Sequence, residues 1–347
     1  MSLFIGSYIL LIILKPICDR IKNGRKVYCV IVGNVYFGIA ALRYRTVGSD
    51  TDIYVRAFER LSEAPVLQAA TYYEKDPFFW ICLSVIGKIT QNYTWLFIVV
   101  AALFCGAITY YIYKYSTDLC LSFIILLSLN LYQFSLTGMR QTIAMAFIIL
   151  ALIFLREDKI VKSIIFIVIA SLFHSSALVI LIIVLLRKIK IPIKMLWCLP
   201  FCGILVFVFN TPIALKLIKL VEERGYEVEE LGNGVTMAFV IFCLFVLCIC
   251  FAQSYKKVDE KYMQNYWLAF GAVFFEMLVP TQSIFFRIAF YFLLVFVTLL
   301  PNVVNSIINV KYRGVIRLGL YVLLSVQYLV FTIGSCNIIP YYTFWQM

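Results

Sequence analysis

Long apolar runs follow one another along this chain, separated by short polar stretches. Residues 2–14, 27–43, 93–113, 119–136, 138–155, 161–173, 175–187, 194–210, 235–252, 262–280, 282–300 and 316–334 read as membrane-crossing helices. A span needs about 20 apolar residues, and a transmembrane barrel would show short alternating segments instead. The pattern therefore predicts an all-α polytopic membrane protein with roughly 10–12 transmembrane helices. Residues 1–347 read as a single integral membrane domain with no soluble domain and no internal repeat. Two segments are expected outside the membrane. Residues 44–92 form an extracytoplasmic loop, in which FFWICLSVIGKI (78–89) is too short to span easily and reads as a re-entrant or interfacial helix. Residues 211–234 form a second, with LKLIKLVEERGYEVEEL as an amphipathic surface helix.

The stretch 160–187 has two readings: one long helix with His174 in its middle, or two short helices parting at His174-Ser175-Ser176. Charge chooses between them. With a break there, the loops on one side hold 19 of the 30 basic residues and 6 of the 18 acidic ones. Those loops are then the cytoplasmic ones, because basic residues are retained inside. Without the break, the RKIKIPIK and YKK segments land outside. The break is therefore expected, although each half is short for a span.

Composition agrees with this picture. The chain is 63% hydrophobic and 14% charged, whereas soluble domains carry about 25% charged residues. The net charge of +12 sits in short clusters between apolar runs, as topology signals do, so nucleic acid is not an expected partner. No basic residue precedes the first run and no small-residue cleavage site follows it, so an uncleaved first helix with its N-terminus outside is expected. The eleven cysteines lie mostly in apolar windows, where Cys behaves as a small hydrophobe. With a single His and no CxxC pair, no metal site is expected.

The few ionisable residues among the apolar runs carry the candidate chemistry, since such a group is costly in a membrane and its default reading is functional. Arg45 lies in YRTVGSDTDIY, Arg140 in SLTGMRQTIA, His174 in ASLFHSSAL and Arg287 in FFRIAFY. The expected topology puts all four on the outer side. Gly48-Ser49-Asp50 is turn chemistry, and Asp50 is placed to cap a helix starting near Thr51. Beyond that cap, Arg45 suits a phosphate, with Asp50 or Asp52 holding Arg45 or a sugar hydroxyl. Arg140 follows a Gly at a helix start, where free N–H groups already favour an anion, and Gln141 points to the same pocket. The plain alternative is an interfacial Arg reaching for water. His174 is either a packing His or, beside Ser175 and Ser176, a group that binds a sugar hydroxyl or relays a proton. Arg287 is either the ion-pair partner of Glu276 or a second phosphate ligand. Two guanidinium forks suit a diphosphate better than Lys would.

YRTVGSDTDIY, EKDPFFW, SLTGMRQTIAMAF, IASLFHSSAL, FFRIAFY and IIPYYTFW stand in the order and spacing seen in the EpsG family. From about residue 40 to the C-terminus the chain resembles these Wzy-like polymerases of exopolysaccharide, capsule and O-antigen. The matching positions are Arg45, Gly48, Asp50, Tyr54, Asp76, Pro77, Arg140, Gln141, His174, Ser176, Arg287, Pro340 and Tyr341. Asp76-Pro77 stands where some members have Glu-Pro. The resemblance implies a multi-pass protein of the bacterial cytoplasmic membrane with an outward-facing polar cavity, resembling GT-C-type glycosyltransferases of lipid-linked sugars. It implies polymerisation of undecaprenyl-diphosphate-linked repeat units on the outer or periplasmic face. Arg140 and Arg287 are then expected on the diphosphate, with Arg45 as third choice, and Asp50 as base narrowly ahead of His174. Tyr54, Asp76, Gln141, Ser176 and Tyr341 are expected to bind substrate. The scheme needs no metal and no nucleotide cofactor. Expected partners are the lipid-linked oligosaccharide, the growing glycan and the bilayer, with flippase and chain-length regulator proteins as further candidates. The competing readings are a lipid-linked oligosaccharide flippase and a membrane acyltransferase acting on glycans.

Overall fold

The computed structural model describes residues 1–73, 75–222 and 234–346. Among the described residues the chain is all-α, with nineteen α-helices. Helices form at every apolar run that the sequence marks out, but fewer of them are long spans than the runs suggest. Three helices, Thr94–Tyr115, Met139–Arg156 and Val310–Thr332, are long and apolar enough to cross a membrane, or up to five if each bent pair is one span. The difference lies in breaks within the runs. Asn130 adopts a left-handed conformation (φ 61) and splits 119–136 into Leu119–Ser128 and Leu131–Ser135. Asn accepts that conformation at lower cost than most residues. Ile284–Leu293 and Phe296–Asn305 meet at a 46° bend. Of the surface helix expected in 211–234, Asn210–Glu222 is helical, and residues 223–233 lie outside the described residues.

The chain divides into two compact units. The first comprises Met1–Leu178 and Leu320–Met347. Its helices Gly24–Ala41, Thr94–Tyr115, Met139–Arg156 and Ile160–Phe173 pack in sequence order, each on the next. Leu119–Ser128 is buried along its whole length. Its polar atoms are satisfied internally, as a water-free surrounding demands: Asp118 caps its first turn, and Ser128 Oγ donates to the carbonyls of Ile124 and Leu324. The C-terminal strand of residues fastens onto the loop after Ala41. Tyr44 N–H donates to Tyr342 O (2.8 Å) and Phe344 N–H to Leu42 O (3.0 Å), while Gly48 and Ser49 N–H donate to Asn337 and Cys336.

The second unit is Val179–Gly319. Tyr262–Glu276 pairs with Ile284–Leu293, and Cys198–Val208 and Val235–Cys250 pack on the first of these. Gly271 allows the close approach: a Cβ there would lie 2.4 Å from the Phe292 ring.

Candidate functional site

The site grows from Asp76, in the first unit. Pro77 opens the Pro77–Ile89 helix, where its missing N–H costs nothing. A proline also disfavours the right-handed helical conformation in the residue before it. Asp76 instead sits in the left-handed region (φ 55, ψ 53) and leaves its helix without a side-chain cap. Its carboxylate is used elsewhere. Oδ2 accepts from Arg140 Nη1 at 2.9 Å and lies 3.3 Å from His174 Nδ1, while Oδ1 accepts from the Ser175 backbone N–H at 3.3 Å. Strained backbone of this kind concentrates at functional sites.

Arg140 stands in the first turn of Met139–Arg156. The turn before that helix is tight: a Cβ at Gly138 would lie 2.4 Å from the Phe134 ring. The YRTVGSDT loop is stitched to the same turn. Ser49 Oγ and the Asp50 N–H both reach Thr137 Oγ1, at 2.8 and 2.9 Å, and Thr51 Oγ1 donates to Leu136 O. The helix Thr51–Glu63 that follows the loop carries Tyr54 to Arg140, with Nε donating to Tyr54 Oη at 3.5 Å. The rings of Trp80 and Tyr73 face the guanidinium carbon at 5.6 and 6.0 Å. Arg140 is thus held by one carboxylate, one phenol and two aromatic faces, with 19% of its side chain still exposed.

His174 ends the Ile160–Phe173 helix with extended backbone (φ −156), and a 3-10 turn, Ser175–Ile180, follows. The helix does stop at the histidine, as charge balance implies. The ring is mostly enclosed. With Nδ1 turned toward Asp76, Nε2 is the nitrogen left to accept a proton. Ser176 Oγ is enclosed and has no hydrogen-bond partner among the described residues. Gln141 is buried in the turn after Arg140.

The other expected residues make contacts of their own. Asp50 begins the Thr51–Glu63 helix, but its side chain makes no cap hydrogen bond. Arg45 is occupied by Asp52 (2.6 Å) and Glu59 (2.8 Å), and Asp52 also takes Arg56 (2.7 Å). Burial acts to lower the Arg45 pKa, yet these carboxylates hold it above its ordinary value. Burial likewise acts to raise that of Asp52, but Arg45 and Arg56 keep its carboxyl below the usual range. Tyr341 donates its hydroxyl to Ile39 O at 2.8 Å and sets its ring edge-on to Phe4. Arg287 lies in the first turn of Ile284–Leu293, in the second unit, over the Phe286 ring at 5.8 Å. Among the described residues, no three His, Cys, Asp or Glu side chains gather as a metal site would require.

Sequence reasoning passed over Tyr73, Trp80, Glu59 and Arg43. Arg43 is fully buried, stacked on Phe97 at 4.2 Å. Its only sequence signal is its place two residues before Arg45, at the end of an apolar run. The model of the EpsG family matches residues 26–343. No curated protein and no solved structure matches the chain.

Proposed function

Because this chain belongs to the EpsG family, we propose that it polymerises lipid-diphosphate-linked oligosaccharide repeat units at the outer face of the bacterial cytoplasmic membrane. Membership itself implies a role in exopolysaccharide biosynthesis. The finer reading rests above all on one observation: the Asp76 carboxylate engages both Arg140 and His174. A glycosyl transfer with a lipid diphosphate as leaving group needs a proton acceptor at the acceptor hydroxyl and positive charge at the departing diphosphate. His174 Nε2 serves the first need, with Asp76 fixing the ring through Nδ1. Arg140 serves the second, since its fork has N–H groups beyond the one given to Asp76. The acceptor oxygen attacks the anomeric carbon as its proton passes to His174. The bond from that carbon to the phosphate oxygen breaks, and its electron pair leaves with the diphosphate.

This assignment prefers His174 to Asp50 as base, because Asp50 directs no side-chain hydrogen bond toward the cluster. It also demotes Arg45, whose charge is already balanced by Asp52 and Glu59. Tyr73 offers the exposed ring on which a sugar face packs, backed by the buried rings of Trp80 and Tyr54, and Ser176 and Gln141 supply hydroxyl and amide contacts. Arg287 keeps the diphosphate role that the FFRIAFY motif gives it. The fuller membrane reading, ten to twelve crossings with residues 44–92 outside, rests on the distribution of basic residues.

Purified protein given a synthetic lipid-diphosphate repeat unit in detergent should make a product ladder that grows one repeat at a time and releases lipid diphosphate. Arg140→Ala should slow it by about 100-fold or more, the usual cost of one donor to a developing anion. If authentic substrate gives no ladder, while labelled repeat unit crosses proteoliposome membranes only with the protein present, the chain is a flippase and the proposal fails.

A further inference from the structure

Helices Gly24–Ala41 and Thr94–Tyr115 run antiparallel in the first unit, with Lys26 near Tyr113 at one end and Arg43 over Phe97 at the other. Between them lies an open groove of about 570 Å³. Its walls are apolar, with Phe37 and Ala102 at one end and Gly33 and Gly106 forming part of the floor. Among the described residues that line it, Lys26 is the one cation, and Tyr110 and Tyr113 line the groove as well. Lys26 and Phe37 are eleven positions apart, as are Ala102 and Tyr113. At the helical rise this is a groove roughly 16 Å long, about half of a hydrocarbon core some 30 Å thick. A groove one leaflet deep, with a cation at its interfacial end, matches a single lipid.

The charges at that end single out a phosphate. Arg25 is already committed, its Nη2 donating to the carbonyls of Tyr113 (3.1 Å) and Ser116 (2.8 Å). Lys26 is exposed and makes no ion pair among the described residues. The substrate of the proposed reaction is a poor match, because the candidate site lies toward the other end of these helices: Lys114, beside the groove's polar end, pairs with Glu157, just past the end of Met139–Arg156, whereas Arg140 opens that helix. The groove's polar mouth faces the opposite way. We propose that this groove seats one acyl chain of an anionic glycerophospholipid, whose phosphate is held by Lys26, in the leaflet opposite the candidate site.

Gly106 makes the test clean. A Cβ built there meets nothing within 4 Å, so the leucine of Gly106→Leu starts from open space in the groove. Lipid-stripped full-length protein would be titrated by native mass spectrometry with dioleoyl phosphatidylglycerol, dioleoyl phosphatidylcholine and undecaprenyl phosphate. Phosphatidylglycerol should bind roughly fivefold tighter than phosphatidylcholine, the usual advantage of one Lys near an anionic headgroup. Lys26→Gln should abolish that preference. Gly106→Leu should weaken both phospholipids by more than about tenfold, because a seated chain buries many methylenes, while its melting temperature matches the parent or exceeds it. The idea is overturned if Gly106→Leu binds both phospholipids as the parent does. It is also overturned if undecaprenyl phosphate outcompetes phosphatidylglycerol in the parent but not in Gly106→Leu, which would make the groove a site for the substrate lipid. A dimer that Gly106→Leu dissociates would give the groove to a second copy of the chain. The outcome is independent of whether the chain forms a polymer ladder.

Discussion

Asp76 serves two side chains at once, and this sets what its loss should do. Asp76→Asn keeps the shape but removes the charge that faces Arg140 and orients His174. Breaking a buried ion pair typically costs about 3–5 kcal/mol, and less where, as here, one partner keeps some water. The variant should therefore melt at lower temperature and lose most activity. Pairing it with Arg140→Gln should recover part of the stability, since groups in one network are not additive. Strict additivity of the two melting shifts would show that the contact carries little. Arg140→Lys is the sharper test of shape. A lysine is one point charge and cannot hold Asp76 and a diphosphate with a single planar fork. Activity should fall nearly as far as in Arg140→Ala, with normal protein levels in the membrane. His174→Gln should slow transfer by about 10²–10⁴-fold, the range for loss of a general base. A rate close to the parent's would move the base to a carboxylate.

At the scale of elements, the loop that leads into Thr51–Glu63 is held from two directions. Thr137 and Leu136 bind it from the turn before Arg140, and Cys336 and Asn337 bind it from the C-terminal segment. Gly48 is the position on which this depends. Its φ of 104 belongs to a region that side chains rarely adopt, and a Cβ there would lie 2.7 Å from Leu136 O. Gly48→Ala should cost at least the ~1–3 kcal/mol of such backbone strain, read as a drop in melting temperature. Activity should fall further than stability does, because the loop fixes the helix start that carries Tyr54 to Arg140. An unchanged melting temperature would mean that the loop is not locked by this turn.

At the scale of the whole molecule, the break at His174 and the distribution of basic residues together predict a sidedness. Cysteines placed at Ser49 and Ser175, both exposed, should react with an impermeant thiol reagent added from outside. Those at Lys159, Lys190 and Lys257, exposed at the expected inner loops, should not. Protection of Ser175 together with labelling of Lys190 would invert everything after residue 174. Asp76 and Arg140 would keep their side, and an outward-facing site shared with His174 and Arg287 would be lost.

Where the helices lie was written in the sequence, because apolar runs and the basic residues between them act locally. So was the place where the helix before His174 ends. The short helices were less legible. The turn at Asn130 and the bend after Leu293 leave hydropathy untouched, so only backbone geometry reveals them. The partner of His174 was legible only in tertiary structure. From the sequence Asp50 stands narrowly ahead of His174 as base, and Asp76 has only a substrate-binding role. Asp76 reaches the cluster because Pro77 turns its backbone and because packing brings together residues 64 and 98 positions apart in the chain. The same holds for the aromatic faces on Arg140 and for the carboxylates that balance Arg45. Hydropathy reports what each residue avoids, and folding alone decides which distant side chain comes to stand against it.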